Sequence, residues 1–188
     1  MRKLVLVAHV SLDGFVAGPK GELEGFPTGD ENLEFVCRLT DHADAALFGR
    51  TTYELLNSYW PTAKDIPSNT KSQIEYSNWY DASHKIVFSK TMTQENLKNT
   101  TIVNGNVLHE MTNLKKQSGK DILIFGSPSV SQLLMKLDLI NSYWIFINPV
   151  IFGQGISLFT GTDKFKLRLQ ATKQFLNGEI ALNYTVDR

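Results

Sequence analysis

The chain has 188 residues, which is enough for one domain, residues 1–188, with a sizeable core. Nineteen Lys and Arg balance nineteen Asp and Glu, so nothing electrostatic argues for nucleic acid or an anionic membrane as partner. The single cysteine, Cys37, cannot form an internal disulfide and suits a reducing, cytoplasmic compartment.

Arg2 and Lys3 precede an apolar run, Leu4 to Val10, that His9 interrupts and Asp13 follows. The run is too short for a signal peptide and reads as a central strand covered on both faces. Glycines at 14, 18, 21, 25 and 29 deny regular structure to Ser11 through Gly29, leaving a long binding loop or lid. Thr28 and Glu31 fit a capping box, and Leu33, Val36, Cys37 and Thr40 give a helical stripe. Asp30, Glu31 and Glu34 lie at the start of that helix, where acids complement the dipole.

Ala45–Phe48 reads as a second strand running into Gly49-Arg50-Thr51. Thr51 and Glu54 cap the next helix, with Leu55, Leu56, Tyr59 and Trp60 as its apolar side. Arg50 therefore stands between a strand end and a helix start, where a guanidinium can bind phosphate with two parallel bonds. Residues 61–81 are polar, with a short helix around 70–78. Lys85–Phe88 is a third strand, ending in Ser89-Lys90-Thr91. A short strand at 101–103 follows, then a helix marked by Val107, Met111 and Leu114 that Gly119 ends.

Ile122–Phe125 is a buried strand that turns at Gly126-Ser127 into a helix. Ser129 and Gln132 fit a capping box, and Val130, Leu133, Leu134 and Leu137 share a face. Free N–H groups at such a helix start favour an anion. Tyr143–Ile147 is a further strand, and Phe152–Gly155 is a turn. Phe165–Leu169 and Ile180–Val186 alternate around a hairpin signal at Asn177-Gly178. The pattern describes an α/β fold, mostly parallel, with an antiparallel end. Three strand-to-helix corners, at Gly49, Ser89 and Gly126, then fall on the carboxyl edge where such sheets bind ligands. His9, His42, His84 and His109 are scattered, so no metal site is expected.

These segments resemble the dihydrofolate reductase superfamily, and more closely the reductase domain of the bifunctional riboflavin-pathway deaminase/reductase. The resemblance rests on Ser11–Ala17, Leu47–Glu54, Val87–Thr91, Gly119–Ile122 with Gly126-Ser127, and Asn148–Gly155. It implies a three-layer fold around a sheet of about eight strands with flanking helices, closing in a C-terminal antiparallel hairpin. It also implies NADPH along the carboxyl edge. Gly49, Arg50 and Thr51 match a phosphate-binding turn, and Ser89, Lys90 and Thr91 match a 2′-phosphate contact. Gly126, Ser127, Ser129 and Val130 match the pyrophosphate turn. Ala8 would face the nicotinamide, under a mobile loop that includes Val16 and Ala17.

The expected reaction is hydride transfer to a C=N or C=O group of a small heterocycle. Asp13 is the first candidate for a proton relay, with a turn-capping role equally open. Ser11, Asp30 and Glu34 are candidate substrate contacts. Asp30, Glu31 and Glu34 all lie near the frame of the pterin-binding acid of folate reductases, and none sits unambiguously in it. The family's triple-glycine turn is reduced to Gly126-Ser127-Pro128, and Asn141-Ser142 replaces an acidic pair of the riboflavin branch. True folate reduction and a non-enzymatic nucleotide binder remain alternatives. A homodimer is expected by analogy.

Overall fold

The apolar run at the start of the chain becomes the hub of an eight-stranded sheet. The structure is a computed structural model that describes residues 1–27, 29–93, 95, 97–161 and 163–187. In it, β1 (Leu4–Ser11) is buried at every position except His9, which is half-buried. Four parallel strands lie to one side of β1: β6 (Asp121–Phe125), β3 (Ala43–Gly49), β4 (His84–Phe88) and, outermost, β5 (Thr100–Val103). To the other side lie β7 (Ser142–Asn148), parallel, and then β10 (Ile180–Val186) and β9 (Leu167–Gln174), antiparallel. The parallel sheet with an antiparallel end read from the sequence is the fold observed.

Strand alternation sorts the core into two layers. Leu4, Leu6, Ala8 and Val10 pack with Met111 of α4 (Val107–Lys116) and with Val130, Leu134 and Met135 of α5 (Pro128–Lys136). Val5 and Val7 face the opposite layer. There they share a cluster with Val36 and Cys37 of α1 (Asp30–Thr40), Tyr53 of α2 (Arg50–Asn57), and Tyr76 and Tyr80 of α3 (Lys71–Ala82).

Several elements differ from expectation. Residues 15–17 form a short strand, β2 (Phe15–Ala17), paired antiparallel with β8 (Ile156–Ser157). Its partner lies about 140 residues downstream, beyond any local signal. Gly155 permits this pairing, because a Cβ there would come within 2.3 Å of the Ala17 carbonyl oxygen. At α1 the expected capping pair cannot be followed, since Thr28 lies outside the described residues. Gly29 is the N-cap and supplies no side-chain bond.

The Thr51–Glu54 cap is not formed either. α2 begins two residues earlier with Gly49 as N-cap, and Glu54 reaches the Arg50 guanidinium at 3.7 Å. Tyr53 is its buried residue, Leu55 is exposed, and Tyr59 and Trp60 lie beyond its end. Pro128 opens α5, so the Ser129–Gln132 cap gives way to Ser127 at the N-cap. Gln132 instead donates to the carbonyls of Ser157 and Leu158 at 3.0 and 3.3 Å, tying α5 to β8. Leu133 is exposed, and Ser131 and Met135 take its place on the buried face. α4 stops at Lys116, before Gly119, and β9 runs on to Gln174. Thr70 and Gln73 close a full capping box on α3, which continues to Ala82.

Candidate active site

All three corners lie on the carboxyl edge, on the neighbouring strands β4, β3 and β6, but only those after β3 and β6 lead into a helix; among the described residues β4 is followed by a turn and then β5. Hydrogen bonds join them into one surface. The Gly49 N–H donates to Ser127 Oγ at 3.0 Å, linking the β3 and β6 corners. Arg50 Nη1 donates to Thr91 Oγ1 at 3.1 Å, linking the β3 and β4 corners. Ser89 is buried, and its hydroxyl accepts from the N–H groups of Thr91 and Met92 at 3.2 and 3.0 Å. It therefore shapes the turn that displays Lys90 and Thr91, both exposed. Arg50 and Thr51 are exposed beside them. Two cations and two hydroxyl side chains thus share one rim.

At the third corner Gly126 and Ser127 are both left-handed, with φ of 51° and 45°. A left-handed serine is costly away from glycine, and here it turns the hydroxyl inward to the Gly49 N–H. Ser131 Oγ donates to the Gly126 carbonyl at 2.6 Å and completes the turn. Pro128 has no N–H, so the first donors of α5 belong to Ser129 and Val130. Ser129 is exposed, while Val130 is buried against Gly49, where a Cβ would lie 3.2 Å from its methyl.

β1 continues beyond its neighbour. Its pairing with β6 ends at Val7 and Phe125, where the Gly126 N–H donates to the Val7 carbonyl at 3.0 Å. Pairing with β7 runs on through Ser11 and Asn148. Backbone groups two residues apart point the same way, so those of His9 follow Val7 and face the opening left by β6. The Ala8 methyl is 1 % exposed within the core, and His9 follows it at the point where β1 outruns β6.

The loop after β1 is built around Ser11 and Asp13. Ser11 is buried. Its hydroxyl donates to Asp13 Oδ1 at 2.6 Å and accepts from the Phe15 N–H at 3.0 Å. Asp13 also accepts from the N–H groups of Phe152 and Gly153 at 3.1 and 2.8 Å. The Ser11 hydroxyl, with these backbone donors, holds the Asp13 carboxyl below its ordinary range. An anion so engaged anchors two loops together and is a poor proton donor. Val16 is half-buried and Ala17 buried, both on β2.

The acids of α1 are divided between its neighbours. Asp30 accepts from Ser72 and Thr70 at the start of α3, and those hydroxyls hold its carboxyl low. Glu31 accepts from the Leu176 N–H and pairs with Lys173, both at 2.9 Å. Glu34 is exposed. The pattern missed the buried carboxylate beside His9 of β1. Glu179, at the hairpin turn, is fully buried beside His9 Nδ1 at 2.7 Å and accepts from Asn32 of α1. Its one local signal is the preceding Asn177-Gly178 turn; the partners lie 147 and 170 residues away.

A cleft of about 390 Å³ lies at the opposite, amino-terminal edge, where Arg2 clasps Asp44 and the Lys120 carbonyl. It is lined by Arg2, Asp44, His84 and Asn99, near the starts of β1, β3, β4 and β5.

A mostly parallel sheet with small and cationic residues at its carboxyl-edge corners and a loop after the first strand is a dihydrofolate reductase-like fold. The chain belongs to the RibD C-terminal domain family, whose profile matches residues 2–180. Among curated proteins it is 32% identical to uncharacterized protein YyaP of Bacillus subtilis over 187 residues, covering 97% of this chain and 94% of that one. It is 29% identical to uncharacterized protein YwjB of the same organism, covering 93% and 92%. Solved structures agree in fold. A putative riboflavin biosynthesis protein from Shewanella superposes with a TM-score of 0.75 at 22% identity, covering 99% of both chains. The Thermotoga maritima diaminohydroxyphosphoribosylaminopyrimidine deaminase/5-amino-6-(5-phosphoribosylamino)uracil reductase gives 0.69 at 17%, covering 99% of this chain and 57% of that one. The dihydrofolate reductase of Enterococcus faecalis complexed with NADP(H) gives 0.68 at 16%, covering 99% and 97%.

Proposed function

We propose that the protein is an NADPH-dependent reductase that transfers hydride to a C=N or C=O group of a small heterocycle. The nearest chemistry is that of 5-amino-6-(5-phosphoribosylamino)uracil reductase. Membership of the RibD C-terminal domain family supports this reading. The observation that carries it is the bonding of three carboxyl-edge corners into one continuous surface through Gly49–Ser127 and Arg50–Thr91.

The residues present fit such a cofactor. Arg50 and Lys90 supply fixed positive charge for a 2′-phosphate, with Thr51, Ser89 and Thr91 beside them. The Ser129 and Val130 N–H groups at the start of α5 suit a pyrophosphate, behind the open turn of Gly126 and Ser127. The open edge of β1 at His9 offers one N–H and one carbonyl to a carboxamide, with Ala8 behind it. Val16 and Ala17, on the paired β2, close over that edge and exclude water. When bound, NADPH supplies the hydride, and the chain contributes alignment and a dry surface.

In this reading Ser11 and Asp13 set the loop that covers the substrate. Asp30 and Glu34 flank the pocket on α1, with Asp30 fixed to α3. Folate reduction through an acid on α1 would fall to the exposed Glu34, because Asp30 and Glu31 are already engaged. Cys37 as a lone buried thiol is in keeping with a cytoplasmic enzyme. No helix among the described residues is long and apolar enough to cross a membrane. The expected homodimer would pair through β9, an edge strand exposed from Leu167 to Thr172.

Calorimetry with NADPH and NADH tests the assignment. Wild type should bind NADPH at least about tenfold more tightly, and Arg50→Ala or Lys90→Ala should erase that preference. Absence of binding by either nucleotide at millimolar concentration would overturn it.

A further inference from the structure

A fully buried carboxylate is costly unless hydrogen-bonded, so Glu179 needs a physical reason. It sits at the end of the β9–β10 turn, and the antiparallel return of β10 carries it to the carboxyl edge. One carboxylate oxygen accepts from Asn32 of α1, and the other lies 2.7 Å from His9 Nδ1. The Glu179 N–H is itself bonded to Asn177 Oδ1 at 3.0 Å. The His9 imidazole stacks on Phe146 of β7, with ring centroids 4.5 Å apart. Groups from β7, α1 and the hairpin therefore fix one ring on β1.

A carboxylate only accepts, so Nδ1 carries the hydrogen and Nε2 is left for another partner. The two side chains differ sharply in access, with His9 35% exposed and Glu179 not at all. His9 also occupies the position where β1 outruns β6, beside the proposed nicotinamide edge and on the α1 face of the sheet. An oriented ring whose Nε2 has no partner among the described residues is the arrangement of a general acid.

We infer that His9 donates the proton to the substrate heteroatom, with Glu179 and Asn32 as positioning residues that hold its ring. The inference rests on the reductase reading given above. The substrate carbon accepts a hydride from the dihydronicotinamide, and the π electrons of the C=N or C=O bond move to nitrogen or oxygen. That atom takes the Nε2 proton of the protonated ring, forming an N–H or O–H bond. The products are the reduced heterocycle, oxidised cofactor and neutral His9, which regains a proton from water. Glu179 stays a carboxylate throughout, and Asn32 keeps it in place.

The test combines turnover, cofactor binding and ring spectroscopy on His9→Gln and Glu179→Gln. With NADPH and 5-amino-6-(5-phosphoribosylamino)uracil, His9→Gln should lose about 10²-fold or more in kcat, while KM moves less than about threefold. Its NADPH affinity by calorimetry should match wild type, which shows that the edge is folded. Glu179 holds the ring through Nδ1, so Glu179→Gln should lower kcat by about tenfold. Independently of turnover, ring ¹⁵N spectra of wild type at alkaline pH should show the Nδ1–H tautomer of His9, lost in Glu179→Gln. Wild-type turnover retained by His9→Gln, or a wild-type Nε2–H tautomer, overturns this inference and leaves the reductase reading standing. Absence of wild-type turnover overturns the reductase reading and this inference together.

Discussion

The Gly49 N–H donates to Ser127 Oγ at 3.0 Å, joining two strand ends that are 78 residues apart in sequence. The bond explains why Ser127, buried at 4 % exposure, holds a left-handed backbone that glycine would adopt at less cost. Ser127→Ala removes the acceptor and keeps the strain. It should lower stability by about 1–3 kcal/mol in chemical denaturation. Ser127→Gly removes the acceptor and relieves the strain, and should be the milder change by about 1 kcal/mol. Equal stability of all three proteins would show that the bond contributes nothing.

Gly155 is required by close approach. A Cβ there meets the Ala17 carbonyl oxygen at 2.3 Å and the Phe15 side chain at 3.2 Å. Gly155→Ala should separate β2 from β8 and loosen the loop over β1. Hydrogen exchange should accelerate at residues 15–17 and 156–158, with the central strands unchanged. Unaltered exchange at those amides would refute the contact.

Cys37 is buried at 2 % exposure, and burial pushes its thiol up to about 12. The thiolate is the nucleophile, so native protein should resist alkylation at neutral pH and react promptly once unfolded. Rapid native labelling would mean that the space between α1 and α3 opens easily.

Asp81 binds Lys64 and Lys98, both at 2.7 Å, and these bonds bring its carboxyl from the ordinary 3.8 down to about 2. A depressed folded value stabilises the protein above the unfolded value and loses that contribution as pH falls through the folded one. The stability gap between wild type and Asp81→Asn should be full above about pH 4 and vanish near pH 2. Thermal melts of both proteins across that range measure it, and a gap independent of pH would contradict the ion pairs.

Asp13 invites the same substitution for a different reason. Asp13→Asn keeps one acceptor and removes the charge that gathers Ser11, Phe152 and Gly153. Limited proteolysis should cut faster in residues 11–17 and 152–155. A kcat reduced as strongly as by His9→Gln, with no change in proteolysis, would point to a chemical role for Asp13.

Local pattern was sufficient for the strands β1, β3, β4, β6 and β7, because each is a short apolar run bounded by turn residues. It was also sufficient for their parallel class, since helical stripes alternate with those runs. The corners at Gly49, Ser89 and Gly126 were legible for the same reason, as small and cationic residues at strand ends. Capping patterns were misleading at Thr51 and Ser129, and the capping box at Thr70 was not read from the pattern. Gly49 took over the cap at α2, and Pro128 at the first helical position moved the α5 cap back to Ser127. What pattern could not reach were contacts between distant segments: β2 with β8, Asp30 with Ser72, and above all Glu179 with His9 and Asn32. Nothing near Glu179 in sequence marks it as buried. Only the return of β10 beside β7, and the packing of α1 against that edge, bring its carboxylate to a histidine 170 residues away. A periodicity reports which face of an element is apolar, and the pairing of faces from separate elements is decided by the closed fold.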